Sequence, residues 1–206
     1  MSPRPDIRSA FSLIELLIVI AIIAMLSALA LPAFNSIRNA GGLTKTASDI
    51  AGILEQARAY AMAQNTYTWV GFQTNQTNGM DTLAVEVFAS KTGSSNPTND
   101  VVQLGKITRF ENIQITNNLP ANSGARPAPN VQLMDATNFA FANTNWANPQ
   151  VIRWDSRGEA RINASQLSRL IEIGLQGSAG GTIRNASNNA AVQIGGLSGA
   201  VIVYRP

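Results

Sequence analysis

The sequence predicts an α+β protein: a long N-terminal helix, lipid-suited in its first half, packed by its second half on an antiparallel β-sheet domain. Three observations predict it. Phe11 to Leu31 reads FSLIELLIVIAIIAMLSALAL, in which 18 of 21 residues are apolar. Residues 33–65 then carry apolar side chains at helical spacing. From Thr66 onward the period shortens to that of strands, broken by Asn, Gly, Ser and Pro clusters. The chain therefore divides into a leader at 1–10, an apolar helix at 11–32, an amphipathic helix at 33–65 and a β-rich domain at 66–206.

Residues 1–10 carry Arg4 and Arg8 against Asp6. The apolar run that follows has no polar face, so it needs lipid or a fully buried site. As a helix of 21 residues it is about 31 Å long, the thickness of a hydrocarbon core. Its exceptions are Ser12, Glu15 and Ser27. A secretory signal peptide fits the basic start and the small-x-small site Ala28-Leu29-Ala30. A signal anchor fits too, with 1–10 cytoplasmic and the rest outside by the positive-inside rule. Neither explains Glu15, since a carboxylate at mid-membrane costs about 2.5–3.5 kcal/mol on insertion scales. An intramembrane acid asks for a specific cationic partner.

The segment Ser9-Ala10-Phe11-Ser12-Leu13-Ile14-Glu15-Leu16 resembles the processing site of type IV prepilins and type II secretion pseudopilins. That resemblance implies cleavage between Ala10 and Phe11 by prepilin peptidase and N-methylation of Phe11. It implies that Glu15 neutralises the α-amine of a neighbouring subunit, so that two costly buried charges become one tolerable pair that selects a register. Pro32 falls where the family places the proline that ends the packed part of its helix. Ala10 departs from the family's usual glycine by one methyl group.

Past Pro32, the residues Ile37, Ala40, Ala47, Ile50, Ile53, Leu54, Ala57, Tyr60 and Ala61 form the apolar stripe. Lys45/Asp49 and Glu55/Arg58 can pair on the polar side. Gly41-Gly42 is expected to loosen or kink the helix, each glycine costing roughly 1 kcal/mol relative to alanine. The expected strands are 66–74, 82–90, 101–107, 112–116, 131–134, 151–154, 160–163, 170–175, 191–194 and 200–204. Asp155-Ser156-Arg157-Gly158 reads as a four-residue hairpin turn with glycine last.

The second half is similar to minor pseudopilins of the GspH/FimT type, and also to Verru_Chthon cassette proteins with prepilin leaders. The quoted segments are LEQARAYAMAQN, TWVGFQ, IRWDSRGEARI, LIEIGLQ and VQIGGLSGAVIVYRP. The helix-end pattern falls on Leu54, Ala57, Arg58 and Ala61. The strand–turn pattern falls on Trp154 and Gly158, with tryptophan where the family has phenylalanine.

Composition limits the chemistry. The 206 residues contain no cysteine and no histidine. Disulfides, thiolate nucleophiles, cysteine zinc sites and serine–histidine hydrolases are excluded. Charged residues are only 13% of the chain, against roughly 25% in an average soluble protein. The formal charge is +3, and the excess lies in the last third, in Arg153, Arg157, Arg161, Arg169, Arg184 and Arg205. Asp155, Glu159 and Glu172 interleave with them, which favours a solvated, mildly basic surface over a nucleic-acid groove. Calcium wants 6–8 oxygens from clustered carboxylates, and no acid follows Glu172. Asp155 and Glu159 straddle a turn, where turn chemistry explains them. Gly180-Gly181 and Gly195-Gly196 lack the context of a phosphate loop. Trp69, Trp146 and Trp154 read as core.

The expectation is thus a non-enzymatic, pilin-like structural subunit of a type II secretion pseudopilus or related filament, with no cofactor and no metal. Its partners would be prepilin peptidase, other pilin-like subunits and inner-membrane lipid. It would be single-pass, with a cytoplasmic N-terminus and a periplasmic domain. The alternative is a minor type IV pilin that holds DNA through Arg153, Arg157, Arg161, Arg184 and Arg205.

Overall fold

The computed structural model describes residues 13–77, 79–96, 100–117, 119, 126–127, 131–132, 150–162, 167–183 and 187–205, without the side chains of 28–41, 77 and 131–132. It is α+β, and it divides into two compact units, Met1–Ala40 and Gly41–Pro206.

The helix α1 spans Leu13–Ala63. It is helical through Pro32 and through Gly41-Gly42, so the glycines do not end it. The helical bonding of the flanking turns outweighs the roughly 1 kcal/mol cost of each glycine. The helix ends at Asn65, whose φ of 48° lies in the left-handed region. Asparagine tolerates that conformation, and the Thr66 amide then bonds back to the Ala61 carbonyl at 3.0 Å. Among the described residues no helix is long and apolar enough to cross a membrane. The described side chains of the apolar run, 13–27, fall short of the roughly 20 residues a span needs.

In the unit from Gly41 onward the strands are β1 (Thr68–Thr77), β2 (Met80–Ser90), β3 (Val101–Glu111), β4 (Ile113–Thr116), β5 (Val131–Gln132), β6 (Gln150–Trp154), β7 (Ala160–Arg161), β8 (Leu170–Ala179), β9 (Thr182–Ile183), β10 (Asn189–Gly195) and β11 (Val201–Tyr204). Each of the ten expected strands has a counterpart. β9 was not expected; it closes a short hairpin with the end of β8.

The strands form two sheets where the sequence suggested one. The first runs β3-β2-β1-β6-β7 and the second β11-β10-β8-β4, with β5 and β9 also on β8. All pairs are antiparallel except β5 with β8. Asn112, at φ 57°, turns the chain from β3 in the first sheet to β4 in the second.

The core lies between the helix and both sheets. Leu43, Ala47, Ile50, Leu54, Ala57 and Ala61 are fully buried on one helical face. They meet Val70, Phe72, Leu83 and Val85 of the first sheet and Ile171, Ile173, Leu175, Val192 and Ile194 of the second. Each buried Leu or Ile stabilises by about 1.5–3 kcal/mol. Leu43 joins the expected stripe, while Tyr60 turns out to be exposed. The Thr68 hydroxyl donates to the Ala57 carbonyl at 2.9 Å, and the Val201 amide donates to Glu55 at 3.1 Å. These bonds fix the helix to one strand of each sheet.

Candidate assembly helix and basic surface

Ala10 and Phe11 lie outside the described residues, as do Arg184 and Trp146. Glu15 occupies the first turn of α1, where the helix dipole favours an acid. Its side chain is exposed and has no ion pair among the described residues. Around it the apolar side chains point outward in every direction. Leu13, Ile14, Leu16, Leu17, Ile18, Val19, Ile20, Ile22, Ile23, Met25 and Leu26 are all exposed. So long an uncovered apolar surface is unstable in water and requires lipid or other apolar helices. Pro32 belongs to α1, and its side chain is outside the description.

Further along α1, the four residues of the helix-end pattern work together. Leu54, Ala57 and Ala61 are in the core, while Arg58 pairs with Glu55 at 3.3 Å. The Asp155–Gly158 turn docks on this helix end. Its defining bond is Gly158 N to Asp155 O at 2.9 Å, and the Asp155 carboxylate also accepts from the amides of Arg157 and Glu159. Gly158 has φ 81°, and a Cβ there would meet Met62 Sδ at 2.9 Å and Arg58 Nε at 3.1 Å. Trp154, just before the turn, is fully buried. The two sequence patterns, on the helix and on the turn, therefore describe the two sides of one contact.

Of the described arginines of the last third, Arg153, Arg157 and Arg161 lie together on the β6–β7 hairpin, while Arg205 lies on the other sheet. Arg157 reaches Asp155 at 3.4 Å and Glu159 at 3.3 Å, and Arg161 reaches Glu159 at 3.0 Å. Arg153 is the cross-strand partner of Arg161 and lies 5.3 Å from the Tyr67 ring centroid. Burial lowers the pKa of the Arg153 guanidinium, with the Tyr67 ring and Asp155 opposing the shift. Arg205 belongs to the other sheet, where it donates to the Asn189 carbonyl at 2.7 Å and to Asn188 at 3.2 Å. Arg169 is exposed. Arg157 and Arg161 are thus neutralised by acids, and Arg205 is spent on uncharged acceptors.

Three buried polar groups escaped the sequence reading. Asp81 accepts from the Gly181 amide at 2.9 and 3.0 Å, which clasps the β1–β2 hairpin to the β8–β9 hairpin. The adjoining Ser178 side chain does most to hold its pKa below the ordinary value. Glu86 is buried on β2, and desolvation raises its pKa against the opposing field of Arg109. Glu172 is buried on β8, with Arg126 and Gln193 each at 2.8 Å. Only Gly180-Gly181, read as turn glycines, gave a hint of the first. Among the described residues no group of three or more acids is placed to hold a metal ion.

One family model matches the chain, the prokaryotic N-terminal methylation motif, at residues 7–31. The match supports a type IV prepilin-like protein, with the peptidase processing and pilin assembly that this motif implies in general. No curated protein and no solved structure matches the chain.

Proposed function

We propose that this chain is a structural, non-catalytic subunit of a type II secretion pseudopilus or related filament, of the GspH/FimT type. Prepilin peptidase cuts between Ala10 and Phe11 and the new N-terminus is methylated. Residues 11–32 sit in the inner membrane, and the domain from 66 onward lies in the periplasm. The observation that carries the reading is the helix surface from Leu13 to Leu26, apolar all round and uncovered, within the segment that matches the methylation motif. Such a surface is satisfied by lipid before assembly and by neighbouring helices after it. Glu15 interrupts it with one carboxylate, which a subunit amine would neutralise on assembly. No observation favours the DNA-holding alternative, since Arg157, Arg161 and Arg205 already have partners.

Replacing Glu15 with Ala tests this reading. Insertion should be preserved, because a costly charge is gone. Incorporation into sheared filaments should be lost, because the register-setting pair is gone. Filament incorporation of the Ala variant at the level of the unmodified chain would refute the proposal.

A further inference from the structure

We infer that the clasped tips of the β1–β2 and β8–β9 hairpins form a lipid-docking site that rests on the headgroup layer of the membrane. The inference rests on the membrane anchoring proposed above and goes beyond it by giving the β domain a lipid contact of its own.

Both sheets are tied near the C-terminal end of α1 and run away from it. β1 begins at Thr68, which is bonded to the Ala57 carbonyl. In the second sheet Val201 is bonded to Glu55 and pairs with Ile194, which pairs with Ile171 near the start of β8. From these points β1 runs to Thr77 and β8 to Ala179, each over about 26–30 Å. The helix face that the sheets bury runs back through Leu54, Ile50 and Ala47 to Leu43. From Ala57 to Gly41 the helix is only about 24 Å long. The two hairpin tips therefore stand at the Gly41 end of this unit. Gly41 is also where the chain enters the unit from the segment proposed to sit in the membrane. Residues 33–40 between them reach no further than about 30 Å at full extension. That end of the unit is thus tethered near lipid.

The tips form one built surface. The Asp81 carboxylate accepts from the Gly181 amide at 2.9 and 3.0 Å and from Gln76 at 3.4 Å. A Cβ on Gly180 would stand 3.5 Å from the Gly79 carbonyl oxygen. The chemistry of the surface suits a membrane interface. Residues 75–81 and 177–183 contain one charged residue, Asp81, and it is buried. Met80 and Ile183 are 43% and 41% exposed, one on each hairpin. Arg184 follows Ile183 in the sequence, and a cation there suits lipid phosphate. Glu111 and Arg109, opposite Thr82 and Ala84, bring opposite charges to one face. Two apolar side chains supply too little area to hold a folded protein partner. A lipid surface kept close by the anchor needs only such a weak contact, because the second binding event is intramolecular.

The absence of cysteine allows a direct test. Full-length Leu17→Cys, Met80→Cys, Ile183→Cys and Leu197→Cys chains are labelled with an environment-sensitive fluorophore. Each is reconstituted into vesicles of phosphatidylethanolamine and phosphatidylglycerol. Leu197 is 69% exposed, on the loop that meets Arg58 and Gly158 at the other end of the unit. Labels at 80 and 183 should be quenched by headgroup-level spin-labelled lipid and lose most of their quenching by aqueous iodide. The label at 197 should keep its iodide quenching. Adding Met80→Asp should return the label at 183 to iodide, since the two tips dock together. A lipid-quenched label at 17 with iodide-quenched labels at 80 and 183 would overturn this site and leave the anchoring standing. Iodide quenching at 17 as well would overturn both. Shielding at 183 that survives Met80→Asp would also overturn the site.

Discussion

Asp81 and Glu86 share the strand β2 and titrate in opposite senses. The side chain of Ser178 and the amide of Gly181 favour the Asp81 carboxylate, so its folded pKa lies below the ordinary 3.8. Its contribution to stability is complete above that value and is lost as pH falls through the folded pKa. Glu86 is desolvated on the outer face of the sheet, and its folded pKa lies above the ordinary 4.5. The folded state then holds a proton that the unfolded state releases, so this group costs stability as pH rises from 4.5 through the folded pKa. Urea midpoints of the unit from Gly41 onward, from about pH 3 to about pH 8, separate the two. Asp81→Asn should lower stability at neutral pH and flatten the acid limb. Glu86→Gln should leave the acid limb intact and remove the decline above it. A Glu86→Gln curve parallel to that of the parent would contradict the assignment.

At the level of elements, the turns carry more specific information than the strands. Gly105 and Gly199 both have positive φ, 83° and 63°. A Cβ on Gly105 meets nothing within 4 Å, whereas one on Gly199 would stand 2.1 Å from the Gly158 carbonyl oxygen and 2.7 Å from Arg58 Nε. Gly105→Ala should therefore cost only the backbone term of about 1–2 kcal/mol. Gly199→Ala should cost at least about 3 kcal/mol, since the turn, its neighbour and the helix end must separate. Equal losses on thermal unfolding would contradict this account of the turn. The arginines give a second prediction at this scale. With Arg157 and Arg161 paired to acids and Arg205 on the other sheet, the β domain should bind duplex DNA weakly. The log–log salt slope should be shallower than about −2. Micromolar binding in physiological salt, lost on Arg205→Ala, would reverse the ranking.

These elements also show what the sequence can express. Asn, Gly, Ser and Pro clusters marked the ends of ten strands because turns need particular residues locally. The short β9 lies inside such a cluster and has no periodicity to reveal it. Which strands pair is a long-range matter, so nothing local announced that β8 and β10 leave the first sheet for a second. Leu54, Ala57, Arg58, Ala61, Trp154 and Gly158 were legible as a pattern, and the structure supplies its cause in one helix–turn contact. Asp81, Glu86 and Glu172 were illegible, because their surroundings come from residues far away in the chain. That α1 stays helical at Gly41-Gly42 shows helical cooperativity overriding a local penalty.

For the whole molecule, the central claim is that residues 1–10 are a leader removed at Phe11, and that the apolar helix after it remains as anchor and assembly surface. Mass spectrometry of the N-terminus of membrane-extracted protein tests this most directly. The account predicts a chain beginning at Phe11 with a methylated amine, and faster processing when Ala10 is replaced by Gly. A chain beginning at Leu31, released by cleavage after the small-x-small site, would contradict it.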